Sequence, residues 1–453
     1  MSSSADVVIC GAGIAGIAAA YHLAVRGRAG RVCLIDEREP LTLTSDKGTQ
    51  GYRNWWPGPD NTMLRFVSRS IDLLEELADE SANAFRLSRR GYVFVTGREE
   101  GVERMRTTAR EVSRHGMGPI REHPGQQPYV PAPPEGFRDH PVGADLLLDA
   151  EAQRAFPYLT RDVVAALHIR RAGWLNAVAL GSWLLKRATG AGVAVVRDRM
   201  TSVRTEGGAV RGVRLASGAV IDTRALVIAA GPLLGETARL LGLELPVLHE
   251  LHAKMAFRDP LHTVPRNAPF LIWNDPVELP WSGAERATFS ASDDTRSLLE
   301  PFPGGVHLRP FDGPHGDELY LIWTFDAAPR PFAWPPRFDP RHGEVLLRGV
   351  ARMVPAFTEY FGLASEGFVD GGFYCKTPEN RPLIGPLPIE GAFVIGALSG
   401  YGVMASQAAA ELLAAHVLQT PLPDYSPAFL PSRYEDPAYE AMIERWGALA
   451  GQL

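Results

Sequence analysis

Cysteine is scarce in this sequence: three residues in 453, Cys10, Cys33 and Cys375, with no CxxC pair and no metal-like grouping. That leaves no dithiol redox motif and no thiolate cluster to hold a metal. Cys10 and Cys33 lie in apolar runs, where a small buried thiol is the plain reading. Basic runs are missing as well. The formal net charge of −6 argues against a surface built to collect nucleic-acid phosphates. No apolar stretch reaches membrane-spanning length. The N-terminus, MSSSADVVICGAGIAG, lacks the basic flank and small-residue cleavage pattern of a secretory signal. A reducing, cytoplasmic compartment is the expectation. No segment repeats another.

Apolar residues make up 45% and charged residues 22%, the balance of a soluble globular protein. A length of 453 suits two or three domains and is ample to enclose a cofactor. The first local signal lies at the start. DVVIC (6–10) is a short β-branched run of the kind buried in parallel sheets. GAGIAG follows at once, Gly11 to Gly16 with Ile14 and Ala15 inside it, then the small-residue helix pattern IAAAYHLAVRG and a second strand, RVCLID. Asp36 stands twenty residues beyond Gly16.

Strand, glycine turn, helix, strand and acid together form a dinucleotide-binding pattern. Gly11 makes the tight turn, Gly13 lets backbone N–H groups approach a pyrophosphate, and Gly16 lets helix and sheet pack closely. The helix N-terminus favours the anion. Asp36 is placed to accept hydrogen bonds from the adenosine ribose hydroxyls, and it would repel a 2′-phosphate, which disfavours NADP despite nearby Arg38. The glycines of AAGPLLGETA (229–238) lack the spacing for a second site. One dinucleotide is expected, and its extreme N-terminal position favours FAD.

Farther along, residues 61–80 carry helical spacing at Leu64, Val67, Ile71, Leu74 and Leu77. GYVFVTG (91–97) reads as a strand and the proline-rich PYVPAPPEGF (128–137) as a surface connection. A helix through 180–192 leads into VAVV (193–196). A strand ladder over 202–231 ends in ALVIAAG (225–231), which reads as a buried parallel strand returning to the first sheet. From about 246 to 370 the chain is aromatic, proline-rich and strand-like, with LYLIWTF (319–325) the clearest strand. It then turns glycine-rich and closes with a helix over about 403–418. The expected fold is α/β: a Rossmann-like FAD-binding domain in separated segments (1–85, 160–245 and 371–421), an interleaved antiparallel-sheet substrate domain (86–159 and 246–370), and a C-terminal extension (422–453).

One loop stands out. GTQGYRNWWPG (48–58) places Arg53 beside Trp55 and Trp56. A guanidinium offers the fork a carboxylate wants, and the indoles offer apolar and cation–π surface to an alkyl or cyclic ammonium. Equally, Arg53 could pair with a cofactor phosphate or a structural acid, and the tryptophans could simply pack an interface. His252 and Lys254 alternate onto one face of a strand in LHELHAKMAF, either lining a pocket or sitting on a satisfied strand face.

The pieces resemble the flavoprotein family of D-amino-acid oxidase, glycine oxidase and monomeric sarcosine oxidase over nearly the whole chain. The marks are GAGIAG with Asp36-Glu37-Arg38, VIAAGP (227–232), HLRPFDG (307–313), and FYCKTPENRPLIGP followed by GALSGYGVMASQAAAELLA. The resemblance implies FAD, with the flavin ring at the domain interface beneath the strand-rich domain. It implies cofactor contacts from Gly11, Gly13, Ile14, Ala15, Gly16, Asp36, Glu37 and Arg38, from Thr44 and Ser45 at the diphosphate and flavin, and from Met200 near the adenine. Ala230 and Gly231 join these, as do Gly400, Gly402, Val403 and Met404 at the turn opening the last helix. The implied chemistry is hydride transfer from a carbon bearing an amine to flavin N5, giving an imine, with dioxygen or another acceptor taking the electrons.

Arg53 matches the family's arginine that helps hold a substrate carboxylate, and Tyr374 and Tyr401 fall where family members face the substrate; Arg309 is read as structural. The sequence also departs from the sarcosine oxidase branch. Met404 stands where that branch has a second carboxylate-holding lysine. Its oxygen-activating lysine falls near Tyr320. The cysteine for a covalent flavin link aligns with Gly372, not Cys375, so FAD is expected without a covalent bond. Small-molecule amines or amino acids are the expected donors, with oxidation of a 2-hydroxy acid or alcohol, or a non-catalytic FAD-holding subunit, as the alternatives.

Overall fold

Two sheets organise the molecule, each with central strands too apolar to face water. The computed structural model describes residues 3–311, 313 and 315–446; Asp312 of the HLRPFDG mark and the end of the C-terminal extension lie outside the described residues. The first sheet has six strands in the order Ala194–Arg197, Val32–Asp36, Val7–Cys10, Ala225–Ile228, Ala392–Gly396, Leu383–Pro386. The first five run parallel and the last pairs antiparallel. Residues 225–231 do return to the first sheet, beside Val7–Cys10.

Both faces of this sheet are covered, which is why its central strands are continuous apolar runs instead of alternating ones. Val7, Ile9 and Val227 pack under the helices Ile14–Tyr21 and Gly402–Leu418. Val8, Ile35, Leu226 and Ile228 pack on the other face against Val210, Val213 and Ile221 of a small four-stranded sheet. The first helix continues past Tyr21 in a wider turn, where the Gly27 N–H reaches the His22 carbonyl.

The second sheet has nine strands: Phe368–Lys376, Leu248–Arg258, Glu318–Ile322, Val306–Phe311, Phe270–Trp273, Tyr92–Thr96, Ala165–Ile169, Ala144–Leu148 and Ile120–His123. It is antiparallel except for two parallel pairings. Strand periodicity sorts its side chains between two layers. Val93, Val95, Leu271, Trp273, Leu308 and Leu321 face the helix His342–Met353. Tyr92 and Phe270 face the other way, into the core that holds Trp55 and Trp56. The second sheet thus presents one aromatic face toward the first.

Ala165–Ile169 and all nine residues of Phe368–Lys376 pair within the second sheet, so the expected divisions at 160 and 371 fall just before the former strand and inside the latter. A short ladder between Gly51–Arg53 and Ala172–Trp174 pins the tryptophan loop at the junction. Thr62–Glu80 is a single helix, as its spacing predicts. No helix among the described residues is long and apolar enough to cross a membrane.

Candidate cofactor and substrate site

A long cleft opens along the C-terminal ends of the parallel strands, where ligands bind in open α/β sheets. Its floor is the glycine turn, and the three glycines do different work. Gly11 adopts φ +115°, and a Cβ there would meet the Ala229 carbonyl oxygen at 2.4 Å. A Cβ on Gly16 would sit 1.8 Å from the Gly11 carbonyl oxygen. Both glycines are demanded by packing alone. Gly13 is different: a Cβ there would find only Ser45 Oγ, at 3.5 Å, so its missing side chain leaves open space at the cleft.

The turn is braced by polar side chains. Asp36 Oδ2 accepts the Ala12 N–H at 2.7 Å and Oδ1 accepts the Arg38 N–H at 2.9 Å. Each oxygen keeps capacity for a further donor. Ser45 Oγ accepts the N–H of Ile14, the first helical residue, at 2.9 Å. Ile14, Ala15, Glu37, Arg38, Thr44, Ser45, Met200, Ala230 and Gly231 all line the cleft. A negative group fits at that helix N-terminus and a hydroxylated one at Asp36.

The far end of the cleft is closed by the turn before the last helix, with Gly400, Gly402 and Val403 in its wall. Ala397 and Ser399 take left-handed backbone angles, φ +53° and +47°, costs that persist where surroundings impose them. The Tyr374 ring fills the room Gly400 leaves, since a Cβ on Gly400 would lie 2.3 Å from Tyr374 Cε2. A cradle with open space at Gly13, a carboxylate at one end and a helix N-terminus at the other fits a flavin dinucleotide. Gly16 and Met404 are the two expected contacts that do not line it. Met404 lies behind the wall, its Sδ accepting the Arg53 backbone N–H at 3.1 Å.

Arg53 does not itself line the cleft; its backbone meets Met404 behind the wall of this end, and it is 7% exposed. Its Cζ sits 5.2 Å from the Tyr92 ring centre and 5.9 Å from that of Phe94. Its Nε has no hydrogen-bond partner, and no carboxylate among the described residues forms an ion pair with it. Burial pulls its pKa down, with Tyr92 opposing. Trp55 packs on Phe94 at 5.8 Å, and Trp56 meets the Tyr401 ring edge-on at 5.1 Å. The loop therefore wraps one basic group in rings.

The other expected substrate residues are more occupied. Lys254 Nζ donates to the Asp46 and Gly48 carbonyls at 2.5 and 3.2 Å, clamping the loop that carries Ser45. Burial lowers its pKa to about 8. The same ammonium lies 4.6 Å from the centre of the Tyr320 ring. Arg309 Nε donates to the Thr49 carbonyl at 2.8 Å. His252 stacks on Tyr374 at 4.0 Å, with Nε2 3.0 Å from Glu250 Oε2; burial keeps it below the usual histidine range. The Tyr401 hydroxyl donates to the Asn380 carbonyl at 2.6 Å.

Two groups here were not singled out by the sequence. Tyr92 lies under the Arg53 guanidinium and would clash with a side chain at Gly51. His307 is held near pKa 4 by burial and then by the Arg53 charge, with one ring nitrogen on the Gly305 carbonyl. Only the HLRPFDG mark hinted at His307; nothing local marked Tyr92.

Comparison with solved structures finds the same fold over almost the full length. L-proline dehydrogenase from P. horikoshii superposes with a TM-score of 0.73 at 18% identity, covering 96% of this chain and 99% of that one. Glycine oxidase from Geobacillus kaustophilus gives 0.71 at 18%, covering 95% and 99%. Iminodiacetate oxidase from Chelativorans sp. BNC1 gives 0.67 at 21%, covering 94% and 98%. No curated protein matches the sequence. The model of the DAO family, FAD-dependent oxidoreductases, matches residues 6–416. With the glycine turn, Asp36 and the C-terminal turn all bordering one cleft, the chain belongs to the DAO family of FAD-dependent oxidoreductases.

Proposed function

We propose that this enzyme oxidises the carbon next to the nitrogen of a carboxylate-bearing amine, a secondary, cyclic or modified amino acid, to the imine. The observation that carries the reading is Arg53: a buried guanidinium just behind the cleft wall, with an unbonded Nε and no carboxylate partner among the described residues. Although the guanidinium hydrogen-bonds the Tyr92 side chain, a buried cation without a counter-ion is costly, and the cost is relieved when a ligand brings the anion. The fork of Arg53 would fix the carboxylate, and Tyr92, Phe94, Trp55 and Trp56 would shape the space around the substrate's apolar part. When bound, FAD supplies the two-electron acceptor for the C–H bond beside the nitrogen.

The residues near Arg53 favour a neutral amine. His252 and His307 are both kept uncharged by burial, and Glu250 is committed to His252 and to Lys376 at 3.0 Å. The amine would therefore shed its proton to solvent on entry, leaving the lone pair that drives imine formation. Tyr374 and Tyr401 would wall the pocket without exchanging protons. We take the two sheets to mark the two domains, so that the substrate domain includes residues 165–169 and 368–376.

The cofactor would be held without a covalent link, since burial raises the Cys375 thiol, which lines the cleft, to about 12 and so keeps it from being a nucleophile. Anaerobic titration of the purified flavoprotein with N-methyl, cyclic and primary amino acids and with 2-hydroxy acids tests the donor class. Bleaching of the flavin band by one amine class supports the reading, and rapid recolouring in air then marks an oxidase, slow recolouring a dehydrogenase. Bleaching by hydroxy acids alone, or by dithionite alone, refutes it.

A further inference from the structure

The family match ends at residue 416, yet the chain beyond it is built into the substrate side of the site. Glu379 lies in the loop between Phe368–Lys376 and Leu383–Pro386 and is 3% exposed. Arg433 grips it through Nη2 at 2.7 Å and Nε at 3.1 Å. The Tyr434 hydroxyl donates to Oε2 at 2.6 Å and the Tyr439 hydroxyl to Oε1 at 3.0 Å. Three side chains from the C-terminal segment thus converge on one buried carboxylate. Such a cluster is far more than is needed to tie down a tail.

The loop that Glu379 anchors has a second job. Arg433 Nη2 and the Thr377 hydroxyl both donate to the Arg381 carbonyl, at 3.0 and 2.7 Å, closing the loop around Asn380. Asn380 is held left-handed at φ +61°, and its carbonyl receives the Tyr401 hydroxyl. Tyr401 sits between Gly400 and Gly402 of the cleft wall and packs edge-on against Trp56 of the Arg53 loop. A second tie runs just past the same loop: Arg381 Nη2 meets Asp60 Oδ2 at 2.6 Å, with its Cζ 4.4 Å from the Trp446 ring centre.

We propose that the C-terminal segment 430–446 completes the substrate site, and that Glu379 is a positioning residue that sets Tyr401, and through it Trp56, by fixing the Asn380 carbonyl. Its worth for catalysis rests on the reading of Tyr401 and Trp56 as substrate-facing. The chain of contacts is continuous, from Arg433 to Glu379, to the Asn380 carbonyl, to Tyr401, to Trp56. Loosening it would leave the cofactor cradle at Gly13 and Asp36 intact while blurring the substrate wall. A loss in substrate binding with the cofactor still held is the signature of such a role.

The test is a double-mutant cycle on the holoenzyme between Glu379→Gln and Tyr401→Phe, read in KM, in kcat, and in the visible flavin band without substrate. We expect each single variant to raise KM about tenfold with kcat within about threefold of wild type. The double variant should be no worse than the poorer single one, because both cut the same line. Each variant should also shift the flavin band in the same way. If Glu379→Gln does not fold, Tyr434→Phe removes the hydroxyl's contacts with Glu379 and Arg433 without unpairing a charge and should show the same pattern, and Arg433→Lys, which keeps the charge, should raise KM less than Arg433→Met. Multiplicative effects in the cycle, or a lowered melting temperature with KM and flavin band unchanged, would overturn the proposal. If no amine reduces even the wild-type flavin, the amine reading has failed, and the band shifts alone decide whether Glu379 acts through Tyr401.

Discussion

Replacing Arg53 by methionine separates binding from stability. On the binding side, a bidentate carboxylate contact comprises two charge-assisted hydrogen bonds worth roughly 1.5–3 kcal/mol each, and sharing one fork leaves about 3–4 kcal/mol in total. That corresponds to roughly 10²–10³-fold in Kd or KM for donors that carry a carboxylate. On the stability side, two terms oppose. The guanidinium loses its contacts with the Tyr92 and Phe94 rings, about 0.5–2 kcal/mol, and its hydrogen bond with the Tyr92 side chain, roughly 1–2 kcal/mol more. Against this, a buried cation without a counter-ion is removed, a relief of several kcal/mol, since a charge taken out of water loses its solvation. Methionine fills similar space, and the backbone N–H of residue 53 keeps its contact with Met404 Sδ, which no side-chain change touches.

Arg53→Met should therefore melt at or above the wild-type temperature while losing affinity for amino acids and keeping it for the matching amines without a carboxylate. The assay is a paired one: flavin reduction against donor concentration for an amino acid and its decarboxylated analogue, beside a thermal melt. A large fall in melting temperature, with both donors affected alike, would show that Arg53 is a structural group and would refute the reasoning.

Three further outcomes follow from the same geometry. Gly13→Val should fold but purify without bound flavin, because its Cβ has room inside the protein and only the cofactor to obstruct, whereas Gly16→Val, with a Cβ 1.8 Å from a carbonyl oxygen, should fail to fold; flavin-to-protein ratio and far-UV circular dichroism separate the two. Lys254 is held at about 8 in the folded chain against an ordinary 10.5, so the unfolded state binds the extra proton between those values and stability gains about 3 kcal/mol as pH rises through that window; denaturant titrations of wild type and Lys254→Met at pH 7.5 and 10.5 should differ by that amount, and equal pH dependence would refute it. Denaturation in detergent should release all the flavin and leave a chain of unmodified mass, whereas retained flavin on a peptide would contradict the unreactive setting of Cys375.

The glycine-lined end of the cleft, where we place the cofactor, was legible from local spacing because backbone does most of the work there. A tight turn, an exposed helix N-terminus and a close approach are all written as glycines at fixed intervals, and Asp36 falls into place once two strands pair in parallel. The final turn was legible for the same reason at Gly400 and Gly402. Spacing did not reveal that Asp36 also braces the turn through the Ala12 N–H, nor that Met404 lies behind the wall.

The proposed substrate side was decided by tertiary structure. Period-two alternation places Tyr92 and Phe94 on one strand face, but only sheet-on-sheet packing brings Arg53 over them. Lys254 and Tyr320 belong to different strands, and the antiparallel register that sets Lys254 opposite Ile322 and Ala256 opposite Tyr320 is what lays the ammonium over the ring. Whether Lys254 was free or committed likewise depended on the carbonyls of Asp46 and Gly48, contributed by a loop far away in sequence. Backbone conformations carry their signal in adjacent residues, whereas a pocket of side chains from several strands exists only after the chain has chosen its registers.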